Sequence, residues 1–205
     1  MNTNELTHVA LDCPENIPDV LLDNLTADLK NSAIQFKVRK LPFSAYNSLE
    51  WALPCAIAAY ILKPYFDSFL SEAGKDHYSL IKKWLKKVVQ TDRQIKVHKI
   101  AAPQSKDKLD STYSQSKSIS IYCQTKDEKI IKMLFDETLS NEDWEQAIDK
   151  FIDTMIDNYK NFPNDQLSGK VSSQKKIIYA FIDKDTKELI FMDDNQMLQA
   201  SISRR

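Results

Sequence analysis

The sequence predicts a protein of the α/β to α+β class, in which helices pack on a mixed β-sheet. Short segments alternate apolar and polar residues, which is the periodicity of strands, and longer segments repeat apolar residues at the helical spacing. The two kinds of segment follow one another along the whole chain. With 205 residues, 42% of them hydrophobic, the chain is long enough to bury a core as one domain or as two.

The first half has the predicted order β-α-β-α-α-β, which favours parallel strands joined by right-handed helical crossovers. Strict alternation, as in IQFKVRKL, identifies the strands, and apolar spacing identifies the helices. The predicted strands are 8–13, 34–41 and 95–100. The predicted helices are 18–33, the central segment 51–62 together with a second piece 65–74 after Pro64, and 76–90.

The most apolar stretch of the chain is WALPCAIAAYIL, residues 51–62. It is too short to cross a bilayer, because a spanning helix needs ~20 apolar residues. Pro54 suits a first helical position, and Pro64 is expected to end the helix. Because the segment is apolar on every face, we predict a central helix that is covered by protein on all sides.

The second half has the predicted order β-β-α-β-β, with the strands in two hairpins. Ser140 and Asp143 are expected to cap a helix over 141–161, which has the clearest apolar stripe in the chain. Residues 103–118 lack periodicity and predict a mobile loop or linker between an α/β half, 1–102, and an α+β half, 119–205. The alternative of one continuous domain stays open.

Several chemistries are excluded by composition and spacing. With two glycines in the chain, Gly74 and Gly169, a phosphate-cradling glycine-rich loop is absent from the sequence. His8, His77 and His98 lie in different elements without the spacing of metal ligands. We therefore predict no cofactor and no metal site.

The three cysteines are far apart, and none belongs to a CxxC motif, which fits a reducing cytoplasm. The amino terminus has neither the basic nor the apolar region of a signal peptide. We therefore expect a soluble cytoplasmic protein.

Acidic residues crowd the predicted last hairpin, at Asp183, Asp185, Glu188, Asp193 and Asp194. Such side chains can bind the cations of metal-dependent hydrolases, but their spacing does not match a calcium-binding loop. A solvated hairpin turn is the simpler interpretation. The alternative is a site assembled from scattered residues, for example a metal-dependent phosphodiesterase that uses this hairpin.

Charge is distributed unevenly along a chain whose formal net charge is −1. Residues 75–108 hold ten basic and three acidic residues, whereas 126–165 hold five basic and eleven acidic residues. The two segments should attract each other, or each should suit a different partner. The basic side chains gather on one face of the predicted helix 76–90, opposite an apolar stripe. The candidate binding residues on that face are Lys82, Lys83, Lys86 and Lys87.

The segment SAYNSLEWALPCAIAAYILKPYFDSFLSEAGKDHYSLIKKWLKKV, residues 44–88, resembles a segment of uncharacterised bacterial α/β proteins. The resemblance covers about a fifth of the chain and implies a bacterial source and a conflict or defence setting. It implies no catalytic residue, because these proteins have no known activity.

The sequence therefore favours a protein that acts by binding, with the basic helical face as its contact surface. A protein partner is expected first, and nucleic acid or an anionic membrane surface is the alternative ligand for such a face. An enzyme with an assembled site and a peripheral membrane protein remain the rival functions. The sequence leaves the oligomeric state open.

Overall fold

The computed structural model describes residues 6–42, 57–70, 74–91, 119–171 and 175–203. Within these ranges, seven strands form one mixed sheet with six helices, which confirms the predicted fold class. The strands are β1 (Val9–Pro14), β2 (Phe36–Leu41), β3 (Ile57–Ile61), β4 (Ile119–Gln124), β5 (Ile130–Met133), β6 (Ile177–Ile182) and β7 (Leu189–Met192). The helices are α1 (Asp19–Lys30), α2 (Lys63–Phe69), α3 (Gly74–Gln90), α4 (Asn141–Asn161), α5 (Gln166–Lys170) and α6 (Asp194–Ser203).

The strand order across the sheet is β2-β1-β3-β4-β5-β6-β7. Parallel and antiparallel pairs alternate, beginning with the parallel pair β2-β1 and the antiparallel pair β1-β3. The parallel pairing of β3 with β4 joins strands of the two halves of the chain in one sheet. The predicted strand 95–100 and the predicted linker 103–118 lie outside the described residues.

The predicted central helix is wrong over Ile57–Ile61, which is strand β3, and residues 51–56 lie outside the described ranges. β3 lies between β1 and β4, and Ile57, Ala59 and Ile61 are fully buried. A strand that is buried on both faces is apolar at nearly every position. Its sequence therefore looks like that of a buried helix. Because β3 is antiparallel to β1, the predicted all-parallel first half is also wrong at this pair.

Helices α1, α3 and α4 form a layer on one face of the sheet, in which α3 contacts both of the others. Alternate residues of the strands face this layer and form one core with it. That core includes Leu11 from β1, Ile121 from β4, Trp84 from α3 and Phe151 from α4, each at most 2% exposed. α6 packs against β6 and β7, with Met197 in a small second cluster with Tyr179.

Helix α4 has the predicted bounds, because its start is encoded locally. The Ser140 hydroxyl accepts a hydrogen bond from the Asp143 N–H, and the Asp143 carboxylate accepts one from the Ser140 N–H. This capping box satisfies two backbone donors at the first turn. The predicted stripe is buried, and Ile148 and Met155 have no exposed surface.

Other helix boundaries differ from the prediction. Pro64 lies in the first turn of α2, where its missing N–H costs nothing, rather than ending a preceding helix. Gly74 begins α3 instead of ending the predicted helical piece 65–74, and Gly169 lies in α5. Helix α6 was not predicted. Among the described helices, none has the length and apolar character that crossing a membrane requires.

Candidate functional site

The predicted basic face lies on α3, the middle helix of the helical layer. The apolar stripe of α3 is buried as predicted, and Ile81, Trp84 and Leu85 are at most 1% exposed. Its lysines therefore face outward, next to acidic side chains of the two neighbouring helices. The predicted binding residues found there are Lys82, Lys83, Lys86 and Lys87.

Two of these lysines form ion pairs with α4. Lys86 Nζ lies 2.7 Å from Asp149 Oδ2, and Lys82 Nζ lies 3.1 Å from Asp153 Oδ1 and 3.5 Å from Asp149 Oδ1. The Tyr78 hydroxyl donates a hydrogen bond to Asp153, and the Tyr78 ring centre is 4.3 Å from Lys82 Nζ. Both aspartates belong to the acidic segment defined above. The attraction between the basic and acidic segments is thus present within the molecule.

The other two lysines share one carboxylate of α1. Asp28 lies 3.1 Å from Lys83 Nζ and 3.6 Å from Lys87 Nζ. The hydrogen bond from Lys83 holds the pKa of Asp28 below its usual value. Three carboxylates therefore face four ammonium groups, which leaves little net charge on this face for a ligand.

The acidic residues of the β6-β7 hairpin have local partners. Asp183 Oδ1 accepts hydrogen bonds from the backbone N–H groups of Asp185 and Thr186, at 3.0 and 2.8 Å, and so stabilises the turn. Glu188 pairs with Lys150 of α4 at 2.6 Å. The described part of the chain contains no group of three or more metal-ligating side chains.

A cavity of about 310 Å³ opens where the β4-β5 turn meets the end of α4. Its charged groups pair with each other, with Asp127 Oδ2 3.0 Å from Lys129 Nζ. The Asn158 side chain, which also lines the cavity, donates a hydrogen bond to Asp165 at 3.1 Å. Asp127 is the one carboxylate among the described lining residues, so the cavity lacks the converging carboxylates of a hydrolytic site.

His8 and Ser68 form a histidine–hydroxyl pair, with 3.5 Å between Nε2 and Oγ. The Nδ1 atom of His8 accepts a hydrogen bond from the Gln35 N–H at 3.0 Å. The neutral imidazole must therefore carry its proton on Nε2, which faces the hydroxyl. His8 cannot take a proton from Ser68 in this arrangement, so the pair is not a nucleophile and its base.

The sequence reading missed a row of polar and aromatic side chains on the sheet face opposite the α1-α3-α4 layer. Strand register aligns one such residue from each of four neighbouring strands: Tyr60, Tyr122, Lys132 and Tyr179. The Tyr60 and Tyr122 rings are stacked with their centres 4.7 Å apart. The sequence does show polar residues at alternate positions of otherwise apolar strands. Only the strand register, however, shows that these residues are neighbours in the sheet.

Cations lie on both outer sides of the stacked rings. Lys132 Nζ is 5.6 Å from the centre of the Tyr122 ring, and Arg39 Cζ is 5.6 Å from that of Tyr60. Arg39 also binds Asp12 through two hydrogen bonds of 2.5 and 2.8 Å. Burial raises the pKa of Tyr60, so its hydroxyl stays protonated at neutral pH. Each tyrosine ring therefore has the other ring on one face and a cation near its other face. This arrangement leaves no face of either ring open to a stacked ligand.

Strand β2 is at one end of the order of described strands, and its exposure is unlike that of the central strands. It pairs with β1 on one side, and no described strand pairs with its other side. Lys37, Arg39, Lys40 and Leu41 are exposed, with Leu41 at 46%. Lys37 forms no ion pair with any residue in the described ranges. Within the described residues, this strand therefore combines backbone groups that pair with no strand on the outer side with exposed positive charge.

Comparison of the chain with protein-family models, with curated proteins and with solved structures found no match in any of the three.

Proposed function

We propose that the protein acts by binding another protein, and that the outer edge of β2 is its contact surface. The observation that carries this proposal is the exposed basic edge at Phe36–Leu41, whose outer side pairs with none of the strands in the described ranges. Unpaired strand edges are ready templates for main-chain hydrogen bonds with another polypeptide. Arg39 and Lys40 are paired with Asp12 and Asp19, so Lys37, which forms no ion pair within the described ranges, is the β2 cation that adds long-range attraction for an acidic partner.

The α3 lysines have a different role in this proposal. Each of them already lies within 3.6 Å of an aspartate on α1 or α4. A partner that used these lysines would first have to displace those carboxylates. We therefore assign Lys82, Lys83, Lys86 and Lys87 to holding the helical layer together.

The rival functions have less geometric support. A phosphodiesterase that used the last hairpin would need Asp183 and Glu188 free to bind a cation, whereas both are engaged in local contacts. A basic helix that bound an anionic membrane would need uncompensated charge, which the pairs with α1 and α4 largely remove.

Affinity purification of the tagged full-length protein from a nuclease-treated lysate of its source organism tests the proposal. The test variant is Lys37→Glu with Lys40→Glu, and the matched control is Lys170→Glu with Lys176→Glu, two exposed lysines away from β2. We expect a protein that co-purifies with the wild type and the control but not with the β2 variant. Recovery of the same proteins with all three, or of none, would contradict the proposal.

A further inference from the structure

We propose that β2 recognises an extended partner segment in which acidic and apolar residues alternate, and that this segment adds to the sheet as a further strand. The inference rests on the proposed function and specifies the partner. It follows from which backbone groups of β2 face outward, and from which side chains flank them.

The direction of the backbone groups follows from two hydrogen bonds at the ends of β2. The Val9 N–H donates to the Gln35 carbonyl, and the Glu15 N–H donates to the Leu41 carbonyl, both at 3.1 Å. Backbone groups point the same way at every second residue of a strand. The N–H and C=O groups of Lys37 and Arg39, which lie between Gln35 and Leu41, therefore also point towards β1. The N–H and C=O groups of Phe36, Val38 and Lys40 therefore face away from the sheet.

The side chains of β2 differ between the two faces. Phe36 and Val38 pack against the apolar core beneath the helical layer. Lys37 and Arg39 lie on the opposite face, where Arg39 pairs with Asp12. An added strand would place alternate side chains beside these two environments. Apolar side chains of the partner fit the face of Phe36 and Val38, and carboxylates fit the face of Lys37 and Arg39. These two requirements define the alternating pattern.

A second copy of this chain is a poor occupant of the same edge. Pairing β2 with β2 of another copy would bring together two Lys37 side chains, neither of which has an ion-pair partner in the described ranges, and like charges across strands are destabilising. Lysines at sheet edges are a common protection against such self-association. The charge therefore selects an acidic partner of different sequence.

Peptide binding to the full-length protein tests the side-chain pattern. The probe is a fluorescein-labelled seven-residue peptide that alternates Val and Glu, measured by fluorescence anisotropy, and the control peptide has Lys in place of Glu. We expect saturable binding of the Val–Glu peptide alone. Lys37→Glu should weaken it by about fivefold to tenfold, since it replaces an attractive cross-strand pair by a repulsive one. Lys176→Glu should have no effect.

N-methylation of the peptide tests strand addition without changing the protein. A strand presents the N–H groups of alternate residues to each neighbour. Of two peptides, one methylated at every Val nitrogen and the other at every Glu nitrogen, we expect one to bind and the other to fail. An antiparallel strand would be blocked by methylated Val, and a parallel strand by methylated Glu. Equal binding of both peptides, or of neither, would overturn the inference.

The outcomes separate this inference from the proposed function. If the Val–Glu peptide does not bind, but a co-purified protein is still lost in the Lys37→Glu and Lys40→Glu variant, the partner uses this surface in another way and strand addition is wrong. If that variant also keeps every co-purified protein, the proposed function is wrong as well.

Discussion

Ser120 is the least expected residue in the described part of the sheet. Its side chain has no exposed surface, and its Oγ has no hydrogen-bond partner among the residues that the structure describes. A buried hydroxyl without a partner destabilises the folded state, because it has given up its hydrogen bonds with water. Its cross-strand neighbour Ala58 has no polar side-chain atom to offer.

Replacement of Ser120 by Ala should therefore be neutral or stabilising. We expect the free energy of unfolding to stay constant or to rise by up to about 1 kcal/mol, since an unsatisfied group is removed without creating a large cavity. Urea unfolding of the two proteins measures the difference. A loss of more than about 1 kcal/mol would mean that the hydroxyl has a partner that stabilises the fold.

Asp28 should make stability depend on pH in the acid range. Lys83 lowers its pKa from 3.8, so its ionised form is favoured by folding. The contribution of the ionised Asp28 carboxylate to the free energy of unfolding is complete above its unfolded-state pKa. This contribution is lost as the pH falls through the lower folded-state pKa. For a partly exposed pair it should stay below about 1 kcal/mol.

Urea unfolding of the wild type and of Asp28→Asn between about pH 2 and pH 6 measures this dependence. The difference in unfolding free energy should be constant above about pH 5 and should shrink as the pH falls below 4. A difference that does not change with pH would show that the Asp28 charge makes no contribution.

At the scale of elements, the three helices of the layer are joined by ion pairs as well as by their apolar stripes. Lys82 and Lys86 join α3 to α4, and Lys83 and Lys87 join α3 to α1. The side chains of Lys82 and Lys86 are only 16% and 27% exposed, so these pairs are less screened than pairs on an open surface.

Changing the four α3 lysines to Gln should lower the stability of the fold. We expect a loss of about 1 to 3 kcal/mol, because each pair contributes ~0.2 to 1 kcal/mol. The melting temperature should fall by about 3 to 10 °C. The control is a triple variant of the exposed lysines Lys160, Lys170 and Lys176, which should melt close to the wild type. An unchanged melting temperature combined with weaker partner binding would assign the α3 lysines to the partner instead.

The elements differ in how well the sequence predicts them, and the difference has a physical cause. α4 is predicted to the residue because its cap and its stripe are local signals. β3 is predicted as a helix because burial on both faces removes the alternation that marks a strand. The ion pairs of α3 with α4 follow from the charge asymmetry, whereas Asp28 joins them only because α1 packs beside α3.

At the scale of the whole molecule, one sheet joins strands from both halves of the chain, and β2 lies at the edge of the strands that the structure describes. Neither feature can be inferred from any single segment of the sequence. The strand order decides which strand lies at the edge, and this order depends on pairings between residues far apart in sequence. The alternating and basic character of β2 was visible in the sequence, but its role as an edge was not.

The proposed strand addition requires that the outward backbone groups of β2 are accessible to a partner strand. Amide hydrogen exchange of the full-length protein, read residue by residue by NMR, measures this accessibility. In the free protein, Lys37, Arg39 and Leu41 should be protected, whereas Val38 and Lys40 should exchange fast. Saturation with the alternating Val–Glu peptide should slow exchange at Val38 and Lys40. Protection of these two amides in the free protein, or no change in their exchange when the peptide is bound, would show that β2 does not pair with an added strand.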